Sequence, residues 1–302
     1  KESSQVSISL ILIIKIVFKF LNKISFLLKK KRIFFIDSKE EWNFFISKLK
    51  KEKLIGIDTE FDWRTTYLPK LCLIQISTID EIFILDCLAL DNFYELKLIL
   101  EDMSILKIFH AVRSDSTVLS KCLNIYLKNV YDIQQAEKLI NEGDIFSYGS
   151  IINKYLNISL DKNETNSNWL RRPLSKSQLK YAAEDVDHLI KIYNFQKKTF
   201  SKKEIDKVME LSEKESSLGK EDLAKSRLKK KINKLTGKEK EIFSWREQIA
   251  KIEDVPPNYI FKEKHIAYLA SISQKDSQFL KKNLLKILGD SKYVAEFISE
   301  FG

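Results

Sequence analysis

The chain has 302 residues, 44% hydrophobic and 31% charged, which describes an ordinary soluble protein with room for about two domains. Its three cysteines, Cys72, Cys87 and Cys122, are odd in number and too far apart for a CxxC pair, excluding a disulfide framework and a structural zinc and pointing to a reducing, cytoplasmic setting. The net charge of +10 sits at the ends: basic and acidic side chains number 8 and 1 in residues 1–32, 22 and 24 in 33–200, and 22 and 17 in 201–302, a distribution that suits either solubility or a protein holding a polyanion outside and cations inside.

Residues 6–28 are strongly apolar, and Lys29-Lys30-Lys31-Arg32 follows. Lys15, Lys19 and Lys23 keep the unbroken apolar runs well short of the ~18 residues of a membrane span, and the basic residues lie on the wrong side for a secretory signal. Residues 1–32 are therefore read as an apolar, basic extension, non-native or poorly ordered, with a membrane-surface helix as the alternative, since lysines four apart would share one helix face.

From Ile33 the pattern becomes globular. Residues 33–36 read as a strand, and Ser38 with Glu40 and Glu41 opens a helix to Leu49 that turns Trp42, Phe45, Ile46 and Leu49 inward. Strands at 54–59, 71–77 and 82–86, joined by short polar turns, predict an antiparallel meander. Helix 91–102, strand 106–109, helix 114–123 and strand 129–132 then alternate as parallel strands with helical crossovers do. An irregular stretch over 159–173 precedes a helix over 175–193, and the remainder is helical.

Three places carry chemistry. The run Leu54-Ile-Gly-Ile-Asp-Thr-Glu-Phe61 delivers Asp58 and Glu60, two residues apart on a strand and so on one face, a geometry for metal ligands. Asp115 falls in the first turn of its helix, a position the dipole favours in any case. Tyr181 and Asp185, at i and i+4, share a helix face.

The segments DTEF-x5-Y-x-P-x-LCLIQI at 58–76, FHAVRSD at 109–115 and LDKNETNSNWLRRPLSKSQLKYAAEDVDHL at 160–189 resemble the ribonuclease D family, tyrosine-type members of the DEDD 3′-to-5′ exonucleases. The likeness covers residues 33–200. It departs from the family in Thr65, where Arg is usual, and in Glu184, where Ala or Asp is common. IFSWREQIAKIEDVPPNYIFKEKHIAYLA at 242–270 resembles the HRDC domain shared with RecQ-type helicases, and the chain ends where one such domain would.

The resemblance implies an α/β, RNase H-like exonuclease domain, a mixed sheet flanked by helices, over 33–200. A helical linker over 201–236 and a smaller all-α HRDC-like domain over 237–302 would follow. Carried over by motif, Asp58, Glu60, Asp115 and Asp185 would bind two divalent cations, Mg²⁺ or Mn²⁺, and Tyr181 would position the attacking water. Carboxylates suit such hard cations, and four clustered acids without cations would repel one another. Phe61 would stack on the terminal base or pack in the core. His110 and His188 are read as structural. Lys229, Lys230, Lys231 and Lys234, in the basic run 225–234, would meet RNA phosphates or form a solvated helix face. The expected activity is release of nucleoside 5′-monophosphates from RNA, tRNA precursors above all, with no obligate protein partner. A silent RNA-binding scaffold and a DNA-directed exonuclease are the rivals.

Overall fold

A computed structural model describes residues 30–160 and 163–302. The membrane-surface reading of the N-terminal extension falls on residues 1–29 and lies outside the described residues. Lys31 and Arg32, assigned to that extension, belong to the fold: buried Lys31 donates from Nζ to the Asp187 carbonyl at 2.8 Å, and Arg32 pairs with Glu81.

A six-stranded mixed sheet is the frame, ordered β1-β4-β3-β2-β5-β6, with β1 Arg32–Ile36, β2 Leu54–Asp62, β3 Lys70–Ser77, β4 Glu81–Asp86, β5 Leu106–Phe109 and β6 Val130–Asp132. The meander β2-β3-β4 is antiparallel, while β1 joins β4, and β5 and β6 extend from β2, in parallel. β2 runs three residues past its expected end, so Asp58 and Glu60 lie within a strand paired on both sides over its first residues. A register shift between Glu60 and Phe61 then bends it.

Helices cover both faces. One face packs α1 Lys39–Leu49, α2 Tyr94–Leu100 and α3 Arg113–Leu123 around Ile55, Ile57, Phe83 and Leu119. The other packs α4 Ile133–Ile140, α5 Tyr148–Leu156, α6 Lys176–Asp187 and α7 Leu189–Thr199 around Ile108, Tyr131, Val186 and Leu189. Where the sequence predicts one helix over 175–193, the chain breaks at His188. The break has a tertiary partner: Ser77 Oγ of β3 donates to the Val186 carbonyl at 2.7 Å.

The long helix α8 Lys202–Lys220, read from sequence as part of a linker, packs along the exonuclease unit. Ser212 Oγ accepts from the Asp132 amide at 2.8 Å, and Ser116 Oγ donates to the Ser216 carbonyl at 2.7 Å. A Cβ on Gly219 would stand 2.7 Å from the Arg113 carbonyl oxygen, so the close approach of α8 to α3 requires glycine there.

After α9 Leu223–Lys229, helices α10 Gly237–Ile252, α11 Pro257–Ile260, α12 Ile266–Ile272, α13 Ser277–Leu288 and α14 Ser291–Phe301 enclose a third core around Trp245, Leu269 and Phe297. Tyr67, from the β2–β3 connection, is buried in that core and donates its hydroxyl to Glu247 at 3.1 Å. Arg227 also reaches Glu247, at 2.7 Å. Among the described residues no helix is long and apolar enough to cross a membrane.

Candidate active site

Strand alternation sends Ile55, Ile57 and Thr59 to one side of β2 and Asp58 and Glu60 to the other. Gly56 allows the second side to be approached closely: a Cβ there would meet Ser77 Oγ at 2.6 Å and Leu189 Cβ at 3.0 Å. The helix bearing Tyr181 and Asp185 starts at Ser175, whose side chain and that of Gln178 form a capping box. Arg172, just before it, grips Asp86 with two bonds of 2.6 Å and the Cys72 carbonyl at 3.2 Å, fastening the incoming loop to the sheet.

These elements bring Asp58, Glu60 and Asp185 together, with one carboxylate oxygen of each within 4.8 Å of the others. Asp115 is set differently. Its side chain is almost wholly buried, at 4% exposure, and Oδ1 accepts from Thr59 Oγ1 at 2.7 Å. It remains within the same field, since its charge acts on both Glu60 and Asp185. Tyr181 donates to Asp185 and meets the Thr165 hydroxyl at 3.3 Å. Glu184 turns aside to Lys180 at 3.6 Å.

Burial, then mutual repulsion, dominates the electrostatics. Glu60 is pushed up to about 10, first by desolvation and then by Asp58, Asp185 and Asp115. Asp185 rises to about 7, chiefly through burial, against the lowering effect of the Tyr181 hydrogen bond. Burial likewise holds Asp58 and Asp115 well above the carboxylate range. No lysine or arginine forms an ion pair with any of the four among the described residues. A set of hard carboxylate oxygens this close, unmatched by protein cations, fits divalent metal.

A cavity of about 400 Å³ opens on Asp58, Glu60 and Asp185, and His110, Tyr148 and Tyr181 share its wall. His110 Nε2 lies 3.0 Å from the Phe146 carbonyl oxygen, and burial lowers its proton affinity. His188 is buried at the helix break, its pKa driven down to about 4 by desolvation. Phe61 follows the bulge and packs against the first core with its ring centroid 6.4 Å from that of Trp63, outside the cavity lining.

The four lysines lie elsewhere, at and beyond the end of α9. Lys229 pairs with Glu221 at 3.6 Å and Lys231 with Glu263, while Lys230 and Lys234 are exposed. Sequence reasoning missed Thr59, Thr165 and Arg172. For Thr59 a signal existed, since alternation puts its hydroxyl opposite the two acids and toward the helix carrying Asp115.

The family model for 3′-5′ exonuclease matches residues 33–200, and that for the HRDC domain matches 239–298. Ribonuclease D of Desulfotalea psychrophila is 30% identical over 250 residues, covering 78% of this chain and 66% of that protein; for Bartonella henselae the figures are 31% over 249 residues, 78% and 60%. The chain thus spans about two thirds or less of the length of these relatives. Among solved structures, Escherichia coli RNase D aligns with a TM-score of 0.76 at 22% identity, over 89% of this chain and 75% of that one. The catalytic core of RRP6 from Trypanosoma brucei aligns at 0.66 and 23%, over 91% and 83%. RNase D from Trypanosoma brucei in complex with RNA U12 aligns at 0.60 and 21%, over 66% and 74%. With the exonuclease model spanning more than half of its length and an HRDC match behind it, the chain belongs to the ribonuclease D family of 3′-5′ exonucleases.

Proposed function

We propose that this chain is a metal-dependent 3′-5′ exoribonuclease that releases nucleoside 5′-monophosphates from RNA 3′ ends, those of tRNA precursors included, in a reducing cytoplasm. The observation that carries the reading is the convergence of Asp58, Glu60 and Asp185 on a cavity wall that also presents Tyr181. In this reading Asp58, Glu60, Asp115 and Asp185 hold two cations, Mg²⁺ or Mn²⁺. Bound there, they supply positive charge to the scissile phosphate and the leaving 3′ oxygen.

The protein's own part is placement. The cavity admits the terminal nucleotide. Tyr181 keeps its proton, because burial and then Asp185 push its ionisation well above the ordinary phenol range. Its hydroxyl, hydrogen-bonded to Asp185, orients the attacking water as a hydrogen-bonding group. Neither buried histidine is placed to replace it: His110 Nε2 is turned to the Phe146 carbonyl oxygen, and His188 lies outside the cavity lining. The placement of Phe61 favours core packing over stacking on the terminal base. The relatives' name and the RNA-bound neighbour support RNA as substrate.

The test uses one RNA labelled at its 3′ end and one labelled at its 5′ end, with and without Mg²⁺ or Mn²⁺. Labelled mononucleotide at the earliest times from the first, and a shrinking ladder from the second, are expected only with metal. Binding without shortening would favour a silent scaffold, and faster cutting of single-stranded DNA would favour the DNA-directed alternative.

A further inference from the structure

A second cavity, of about 470 Å³, lies between the two units, with Trp63 and Ser114 on the exonuclease side and Arg227, Lys229 and Lys230 on the other. Two of the three chain segments that supply the acids run into its wall. Trp63 stands three residues beyond Glu60, within about 10 Å at strand rise, and Ser114 immediately precedes Asp115.

Its walls are held. The Trp63 indole N–H donates to the Tyr67 carbonyl at 2.9 Å, and the Arg227 guanidinium lies 5.9 Å from its ring centroid. Gly219 seats α8 against α3 with no room for a methyl group, so this side cannot collapse. The charge is available where it matters. Arg227 is committed to buried Glu247, whereas well-exposed Lys229 pairs at 3.6 Å with half-buried Glu221, which also lines the cavity; pairs near the surface are worth about 0–1 kcal/mol, which a phosphate can displace. Lys230 is exposed and forms no ion pair among the described residues.

We infer that this cavity is a subsite for single-stranded RNA upstream of the scissile nucleotide, with one base against the Trp63 indole and the flanking phosphates on Lys229 and Lys230. The assignment rests on the exoribonuclease reading. An aromatic face beside flexible cations is what a sequence-tolerant single-strand site requires. An exonuclease must take every base in turn, which stacking on an aromatic face allows because every base has a π-face.

The experiment uses the full chain with divalent metal chelated, so that nothing is cut, and 5′-fluorescein oligoadenylates of two to eight nucleotides, followed by anisotropy across a salt series. Lys229→Ala/Lys230→Ala and Trp63→Leu should match the wild type on the shortest strand and fall behind once the strand is long enough to reach the cavity, Trp63→Leu by about 10-fold, the scale for losing one stacked base. The lysine pair should also reduce the log–log salt slope by about 1.4, two single-strand phosphate contacts. Trp63→Leu should leave that slope unchanged, and Trp63→Phe should recover most of the affinity. Coincident curves for wild type, the lysine pair and Trp63→Leu at all lengths would overturn the assignment. Failure of the exoribonuclease reading shows separately, as absence of nucleotide release when metal is restored.

Discussion

Thr59 Oγ1 donates to Asp115 Oδ1 at 2.7 Å. The bond ties a strand residue flanked by two acids to the helix that brings another, and it fixes the depth at which Asp115 sits behind Asp58 and Glu60.

Thr59→Val keeps the side chain's shape and removes its donor. A group that orients a metal-binding carboxylate typically contributes 10–100-fold in affinity or activity. The variant is therefore expected to need roughly 10–100-fold more Mg²⁺ for half-maximal hydrolysis, with kcat largely recovered at saturation. An unchanged metal titration would show that the hydrogen bond is only structural.

The acids themselves should separate activity from stability. Asp58→Asn, Glu60→Gln, Asp115→Asn and Asp185→Asn are each expected to abolish hydrolysis. Glu60 and Asp185, pushed up to about 10 and about 7, bind more protons folded than unfolded once pH exceeds the ordinary carboxylate range. The metal-free fold is thus unpenalised by them near pH 4 and loses stability as pH rises. In chelator, Glu60→Gln should melt higher than wild type at pH 8, by about 2–4 °C for each kcal/mol relieved, and equally at pH 4. Added Mg²⁺ should narrow the gap. Calorimetry at the two pH values checks the sign, and a variant that melts lower at pH 8 would contradict it.

Tyr181→Phe keeps the ring against Trp169, 6.0 Å between centroids, and deletes the hydroxyl shared with Asp185 and Thr165. A fall in kcat of about 10²-fold is expected, the lower end for losing one preorganised hydrogen-bonding group, with metal affinity nearly kept. Wild-type turnover in Tyr181→Phe and loss only in Tyr181→Ala would make the ring, and not the hydroxyl, the functional part.

At the junction of the two units, Glu247 is 1% exposed and Arg246 3%. Glu247→Ala leaves buried Arg246 without its adjacent carboxylate and is expected to cost about 3–5 kcal/mol in urea unfolding. Tyr67→Phe removes one neutral donor while Arg227 stays on Glu247, and should cost about 1 kcal/mol. Equal losses would mean that charge burial is not what the junction depends on.

What the sequence reveals of this molecule follows periodicity. Asp58 with Glu60, Tyr181 with Asp185, and the strand 106–109 are legible because the information is local. The expected helix 91–102 starts only at Tyr94 because Asn92 Oδ1 accepts from the Tyr94 amide, an alternative to helix that asparagine carries with it. The break at His188 is invisible because the hydroxyl that takes the Val186 carbonyl belongs to Ser77, 109 residues away. Helix α8 reads as a solvated lysine and glutamate rod because much of its buried face is Ser212, Ser216 and Gly219. Contacts made by small residues leave little apolar periodicity to find.

That small-residue seam also determines what can be transplanted. A graft or chimera joined after Phe200 would leave behind the hydroxyl that caps the Asp132 amide and strip the cover from α3, the helix on which Asp115 rides. Any portable catalytic piece of this protein therefore has to include α8 through Lys220, and recombination that respects the chemistry has its crossover point beyond that residue.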